Sequence, residues 1–123
     1  MVIAIDFDGT CVTHAFPNVG KEIGAVDVIK ALVNKGHKII LFTMRDLEYL
    51  TPAVAWFEKN DIPLYGINDN PGAKWSTSRK VYADMYIDDM ALGIPLKMDY
   101  NKSNRPFVDW TGVESLLKKK GIL

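Results

Sequence analysis

The sequence predicts an α/β protein with a single doubly wound parallel sheet of about five strands, helices on both faces and no second domain. Three observations carry that prediction. Short β-branched runs alternate along the chain with longer amphipathic stretches, the pattern of strand–helix–strand units. The apolar runs show no polar alternation, so their strands are buried on both sides, as parallel strands are. At 123 residues the chain suits one domain, which buries roughly two-thirds of its unfolded surface.

Each element has its own signal. Val2 to Ile5 are β-branched or small and form the first strand. The loop "CVTHAFPNVGKE" follows, carrying Pro17 and Gly20. A helix is expected over 22–35, with Ile23, Val26, Ile29, Leu32 and Val33 on one broad face and Gly36 closing it. "HKIILFT" is the second strand. Thr51 before Pro52 marks the next helix start, since a cap hydroxyl and a proline without an N–H both suit a first turn. Ala53, Val54, Trp56 and Phe57 give that helix its core face. "IPLYGIN" is the third strand, "NDNPGAKWSTSRK" is turn-rich, "ADMYIDD" is the fourth strand, and "GIPLKMD" is a short fifth. "TGVESLLKKKG" closes the chain as a helix, with Thr111 and Glu114 in capping-box spacing and Lys118–Lys120 suiting its dipole.

Composition narrows the function classes. Fifteen basic and fifteen acidic residues cancel, so no global field draws the protein to nucleic acid or to a membrane surface. Cys11 is the single cysteine, which excludes an intrachain disulfide and fits a reducing compartment. The first residues lead straight into strand-like sequence without a basic leader, and no apolar run approaches the ~20 residues of a membrane span. A cytoplasmic protein is expected. There is no P-loop or dinucleotide fingerprint, and Pro17 stands where a cysteine-phosphatase loop starting at Cys11 needs arginine.

Ligands of open parallel sheets bind beyond the carboxyl ends of the strands, and there the polar residues gather. Asp6 and Asp8 end the first strand, Thr43 follows the second, and Asp88 and Asp89 end the fourth. Asp6 and Asp8, two residues apart, point to the same side of a strand, and such close charges need a cation or a shared proton. Four carboxylates and a hydroxyl form an oxygen-rich cage suited to Mg²⁺. Zinc is disfavoured, because Cys11, His14 and His37 show no ligand spacing. The pattern suits phosphoryl transfer, in which one aspartate attacks phosphorus, another handles the leaving group's proton, and a cation such as Lys80 offsets charge on the phosphoryl oxygens. Lys74 and Arg79 are rivals to Lys80. Arg45, in "FTMR", suits either an anion clamp for substrate phosphate or a surface salt bridge. Asn68 and Asn70 read as turn formers, Trp56 as core, and Trp75 and Trp110 stay open.

These motifs resemble the haloacid dehalogenase-like superfamily of phosphohydrolases over essentially the whole chain. "IAIDFDGT" matches its strand ending in DxDGT, "IILFT" its strand ending in Thr or Ser, and "YIDD" its acidic pair, with Lys80 as its lysine. The resemblance implies that Asp6 is the nucleophile forming an aspartyl-phosphate and Asp8 the general acid, then the base for water. It implies that Thr43 and Lys80 bind the phosphoryl group. Asp6, the Asp8 main-chain carbonyl and Asp88 would hold Mg²⁺, with Asp89 assisting. Members gain specificity from cap domains inserted after the first or second motif, and residues 9–42 and 44–79 leave no room for one. A capless domain with an open site is expected, suited to a large phosphorylated substrate or to a small one covered by a homo-oligomer partner. The expected activity is Mg²⁺-dependent phosphomonoester hydrolysis. The rival is a phosphate-binding or receiver-like module without significant turnover, but receivers accept phosphate on an aspartate after the third strand, where this chain has Asn68.

Overall fold

The computed structural model describes residues 1–123. Its elements in chain order are β1 (Val2–Ile5), α1 (Ala25–Asn34), β2 (Lys38–Leu41), α2 (Leu47–Lys59), β3 (Gly66–Ile67), β4 (Met85–Ile87), β5 (Leu96–Lys97), β6 (Phe107–Val108) and α3 (Trp110–Lys119). β1 to β4 form one parallel sheet in the order β3-β2-β1-β4. Its register pairs Ile3 with Ile39 on one side and with Met85 on the other. No helix is long and apolar enough to cross a membrane.

The sheet has four strands, not five. Leu96–Lys97 extends as expected but pairs antiparallel with Phe107–Val108 in a separate ribbon. Pro95 has no N–H to give a ladder, and its carbonyl instead accepts from the Asp109 N–H at 2.9 Å. The ribbon joins the loop after β1, because the Val108 N–H donates to the Gly9 carbonyl at 3.0 Å.

Helices cover one face rather than two. The chain moves from β1 to β2 to β3 in a single direction, so right-handed crossovers put α1 and α2 on the same side. Side-chain alternation agrees. Ile3, Ile5, Ile39, Leu41 and Ile87 share one core with Leu32 of α1, Phe57 of α2 and Val113 and Leu117 of α3. Ala4 and Ile40 point the other way and meet Val81, Tyr65 and Ala83. The chain returns from β3 at one edge to β4 beyond β1 through residues 68–84, which contain no helix. A turn-rich stretch with Pro71, Gly72 and three hydroxyl residues covers this face in irregular form.

The helix starts also differ from the sequence expectation. α1 begins at Ala25 because Gly24 sits at φ 93°, a left-handed conformation that ends the preceding loop. α2 begins four residues before Thr51, with the Asp46 carbonyl accepting from the Tyr49 and Leu50 N–H groups at 3.0 and 3.3 Å. Pro52 therefore sits in the second turn, where it costs only one bond to a carbonyl near the helix start. α3 begins at Trp110, and its cap is Asp109, whose carboxylate accepts from the Thr111 N–H at 3.2 Å. The Thr111–Glu114 capping box does not form, since Thr111 already lies within the first turn.

Candidate active site

β1 delivers Asp6 to the carboxyl edge of the sheet, and its N–H donates to the Ile87 carbonyl at 3.0 Å. That bond ties Asp6 to the end of β4, which supplies Asp88 and Asp89. Carboxylate oxygens of Asp6, Asp88 and Asp89 lie within 4.8 Å of one another. Burial of Asp6, its hydrogen bond with Asp89 and the charge of Asp88 push its carboxyl up to about 8, against opposing bonds from the Phe7 N–H and Thr10. Without a cation, the Asp6 carboxyl is therefore held well above the usual carboxylate range.

Thr10 bridges the group. Its hydroxyl is 2.9 Å from Asp6 Oδ2 and 3.2 Å from Asp89 Oδ1, and it accepts from the Asp89 N–H at 3.0 Å. Trp110 anchors Thr10 from below, its indole N–H donating to the Thr10 carbonyl at 2.6 Å. His14 closes the far side, with Nε2 3.1 Å from Asp89 Oδ2. Gly9 permits this approach. Its φ is 80°, and a Cβ there would stand 2.1 Å from His14 Nε2 and 2.7 Å from Asp89 Oδ2.

Asp8 lies outside that group. Both of its oxygens accept from Arg45, Oδ2 from Nε at 2.7 Å and Oδ1 from Nη2 at 2.8 Å. The remaining Arg45 donors go to the carbonyls of Asn18 (2.8 Å), Pro17 (3.2 Å) and Tyr49 (2.9 Å). The guanidinium also lies between the Phe7 and Phe16 rings, 5.2 and 5.1 Å from their centroids. Arg45 is 3% exposed with all five N–H groups engaged. Of the two expectations for Arg45, the salt bridge forms, though buried rather than at the surface, and no donor is left free for a substrate phosphate. It fixes Asp8 and staples the loop after β1 to the start of α2.

Thr43 stands at the same edge after β2, its hydroxyl accepting from the Arg45 N–H at 3.1 Å. Asn68 holds the Thr43 backbone on both sides: the Thr43 N–H donates to Oδ1 at 2.8 Å, and Nδ2 donates to the Thr43 carbonyl at 2.9 Å. The Thr43 N–H is thus committed, whereas its hydroxyl hydrogen is not. Lys80 makes no ion pair with the acids. Its Nζ lies 5.9 Å from the Tyr86 ring centroid on the loop-covered face, and the ion pairs present are Arg45–Asp8 and Lys118–Glu114, beside the His14–Asp89 contact. Cys11 is fully buried, its thiol pushed well up by burial, and Sγ donates to the Asp6 carbonyl at 3.3 Å.

The sequence motifs located Asp6, Asp88 and Asp89 but missed Thr10, His14 and Trp110. Thr10 carried a signal, since it completes the "DGT" turn. His14 and Trp110 carried none, because their roles depend on approaches across 75 and 100 residues.

The three acids, all oxygen donors, suit a hard divalent cation, and the raised Asp6 carboxyl is what such a cation would relieve. No protein-family model and no curated protein matches the chain. The chain is similar to a solved structure of a conserved protein coded by a locus from Bacteroides thetaiotaomicron, at 33% identity and a TM-score of 0.76. The match covers 98% of this chain and 91% of the other. At that identity over nearly the full length of both chains, the protein belongs to the same family as this conserved Bacteroides thetaiotaomicron protein.

Proposed function

We propose that the protein is a Mg²⁺-dependent phosphomonoesterase of the haloacid dehalogenase-like type, working through an aspartyl-phosphate on Asp6. The observation that carries this reading is the meeting of Asp6, Asp88 and Asp89 within 4.8 Å at the carboxyl edge of a parallel sheet. A Rossmann-like core with β1 at its centre and no inserted cap suits the same assignment.

Asp6, Asp88 and Asp89 would hold Mg²⁺, together with the Asp8 main-chain carbonyl that the resemblance implies. When bound, the cation would neutralise these carboxylates and offset charge on the phosphoryl oxygens. An Asp6 oxygen attacks phosphorus as the ester P–O bond breaks, and the departing alkoxide takes a proton from Asp8. Water then attacks the aspartyl-phosphate, giving up its proton to Asp8 and releasing inorganic phosphate and the Asp6 carboxylate. Arg45 holds Asp8 through both oxygens, so each proton transfer works against a bidentate bond. The Thr43 hydroxyl would donate to the phosphoryl group, and Lys80 would complete it from the loop-covered face.

Hydrolysis of an aryl phosphate with Mg²⁺ tests the reading. Wild type should release phosphate and be inhibited by beryllofluoride, and Asp6→Asn should lose activity by several orders of magnitude. Asp8→Asn should keep part of it toward an activated leaving group. Full turnover in Asp6→Asn would rule out the covalent route.

A further inference from the structure

Residues 68–84 do more than cover the second face. Asn70 ties the segment together, accepting from the Tyr82 N–H through Oδ1 and donating to the Lys80 carbonyl through Nδ2 at 2.9 Å. Beneath this brace lies a cleft of about 250 Å³, lined by Trp75, Ser76, Ser78, Lys80, Tyr82 and Tyr86 among others. Trp75 is 78% exposed and meets the Tyr82 ring edge-on, with centroids 6.1 Å apart. Single exposed aromatics are ordinary. Here three aromatic rings line one cleft together with Lys80. The Ser76 and Ser78 hydroxyls each accept one N–H, from Ser78 at 3.1 Å and Lys80 at 3.2 Å, and keep their own hydrogens to donate.

The cleft shares Tyr86 with the strand that leads to Asp88 and Asp89. Tyr86 stands two residues before Asp88, about 7 Å along an extended chain. Its ring packs on Phe42, at 6.3 Å between centroids, and Phe42 immediately precedes Thr43. Lys80 lines the same cleft, its Nζ 5.9 Å from the Tyr86 ring centroid.

We propose that this cleft is the leaving-group subsite and that it takes the base of a nucleotide phosphomonoester. The proposal rests on the phosphomonoesterase reading above. The base stacks on Trp75, the serine hydroxyls donate to acceptors on its edge, and Lys80 faces its phosphate. Indole and phenol faces are stacking platforms for any base. A sugar phosphate has no aromatic ring to stack, and a phosphorylated phenol offers no ring acceptors to the two serines. A free nucleotide and the terminal nucleotide of a strand present the same chemistry.

The test uses the full chain with adenosine 5′-monophosphate, a 5′-phosphorylated dinucleotide and ribose 5-phosphate. Phosphate release is followed with Mg²⁺, and the indole N–H resonance of Trp75 is followed by NMR with EDTA. Base-bearing probes should exceed ribose 5-phosphate in kcat/KM by about tenfold or more, the scale of one stacked base. Adenosine 5′-monophosphate should shift the Trp75 resonance. Trp75→Ala should collapse the ratio between base-bearing and base-free probes, and Trp75→Phe should restore most of it. A dinucleotide preferred over the free nucleotide assigns a strand end, and the reverse assigns a free nucleotide. Phosphate release with no base preference and no resonance shift overturns the nucleotide site and keeps the hydrolysis reading. A resonance shift with no release from any probe keeps the nucleotide site and overturns the hydrolysis reading.

Discussion

The two faces of the sheet are built from alternate residues of the same strands, yet they differ in kind. Ile3, Ile5, Ile39 and Leu41 pack under three helices in a core of 22 buried residues. Ala4 and Ile40 pack under an irregular segment in a cluster of three. The cations repeat the contrast. Arg45 is buried with every donor engaged, whereas Lys80 is exposed, without an ion pair, at the edge of a cleft. One face carries the stability and pins Asp8. The other holds little of the core and leaves its polar and aromatic groups available to a ligand.

Core truncations should separate the faces most. Phe57 is fully buried and packs on Phe7 and Trp56, so Phe57→Ala should cost about 3–5 kcal/mol. Val81→Ala under the loop should cost about 1.5 kcal/mol, the transfer value of two carbon groups. Urea unfolding gives both, and equal losses would break the comparison. Arg45→Leu should also cost about 3–5 kcal/mol, because it leaves Asp8 and three carbonyls without their donor. Lys80→Ala should stay within about 0.5 kcal/mol.

Next in size is the effect of a cation on the acids. At one hundred times its Kd, Mg²⁺ should add about 2.7 kcal/mol, a rise in Tm of roughly 10 °C for a domain of this size. Asp88→Asn removes a ligand and a repelling charge together, so it should shrink that rise without lowering the Tm in EDTA. Absence of any Mg²⁺-dependent rise in wild type would leave the acids without a metal role.

The acids also predict a slope with pH. Asp6 titrates at about 8 in the folded protein against 3.8 for a free side chain. Between those values the folded state keeps a proton that the unfolded chain has released. The Asp6 contribution to stability is therefore fully present below about pH 4 and is lost as pH rises through about 8. In EDTA the Tm should fall over the upper part of that range, and Asp6→Asn should flatten the fall. A cation bound by the acids would displace this proton, so Mg²⁺ stabilisation at fixed concentration should be larger at about pH 8 than at about pH 6. A Tm in EDTA that rises over this range would refute the raised Asp6 carboxyl.

Much of the fold and part of the site follow from local pattern. Buried strands announce themselves by unbroken β-branched runs, and acids ending two of them must emerge at one edge once the strands are parallel. So the four parallel strands, the three helices and the meeting of Asp6 with Asp88 and Asp89 follow from the chain as written. Tertiary structure alone decided the rest. Whether "GIPLKMD" joins the sheet depends on a partner, and Phe107–Val108 took it. Which faces carry helices depends on the direction of each crossover, which periodicity does not contain. Arg45 next to Thr43 reads as a surface cation until carbonyls from Pro17, Asn18 and Tyr49 converge on it. His14 reads as an isolated loop residue until Gly9 makes room for it beside Asp89. Local sequence sets backbone shape and amphipathicity, which act within a few residues. The partners of a buried polar group come from segments far apart, and only the folded chain brings them together.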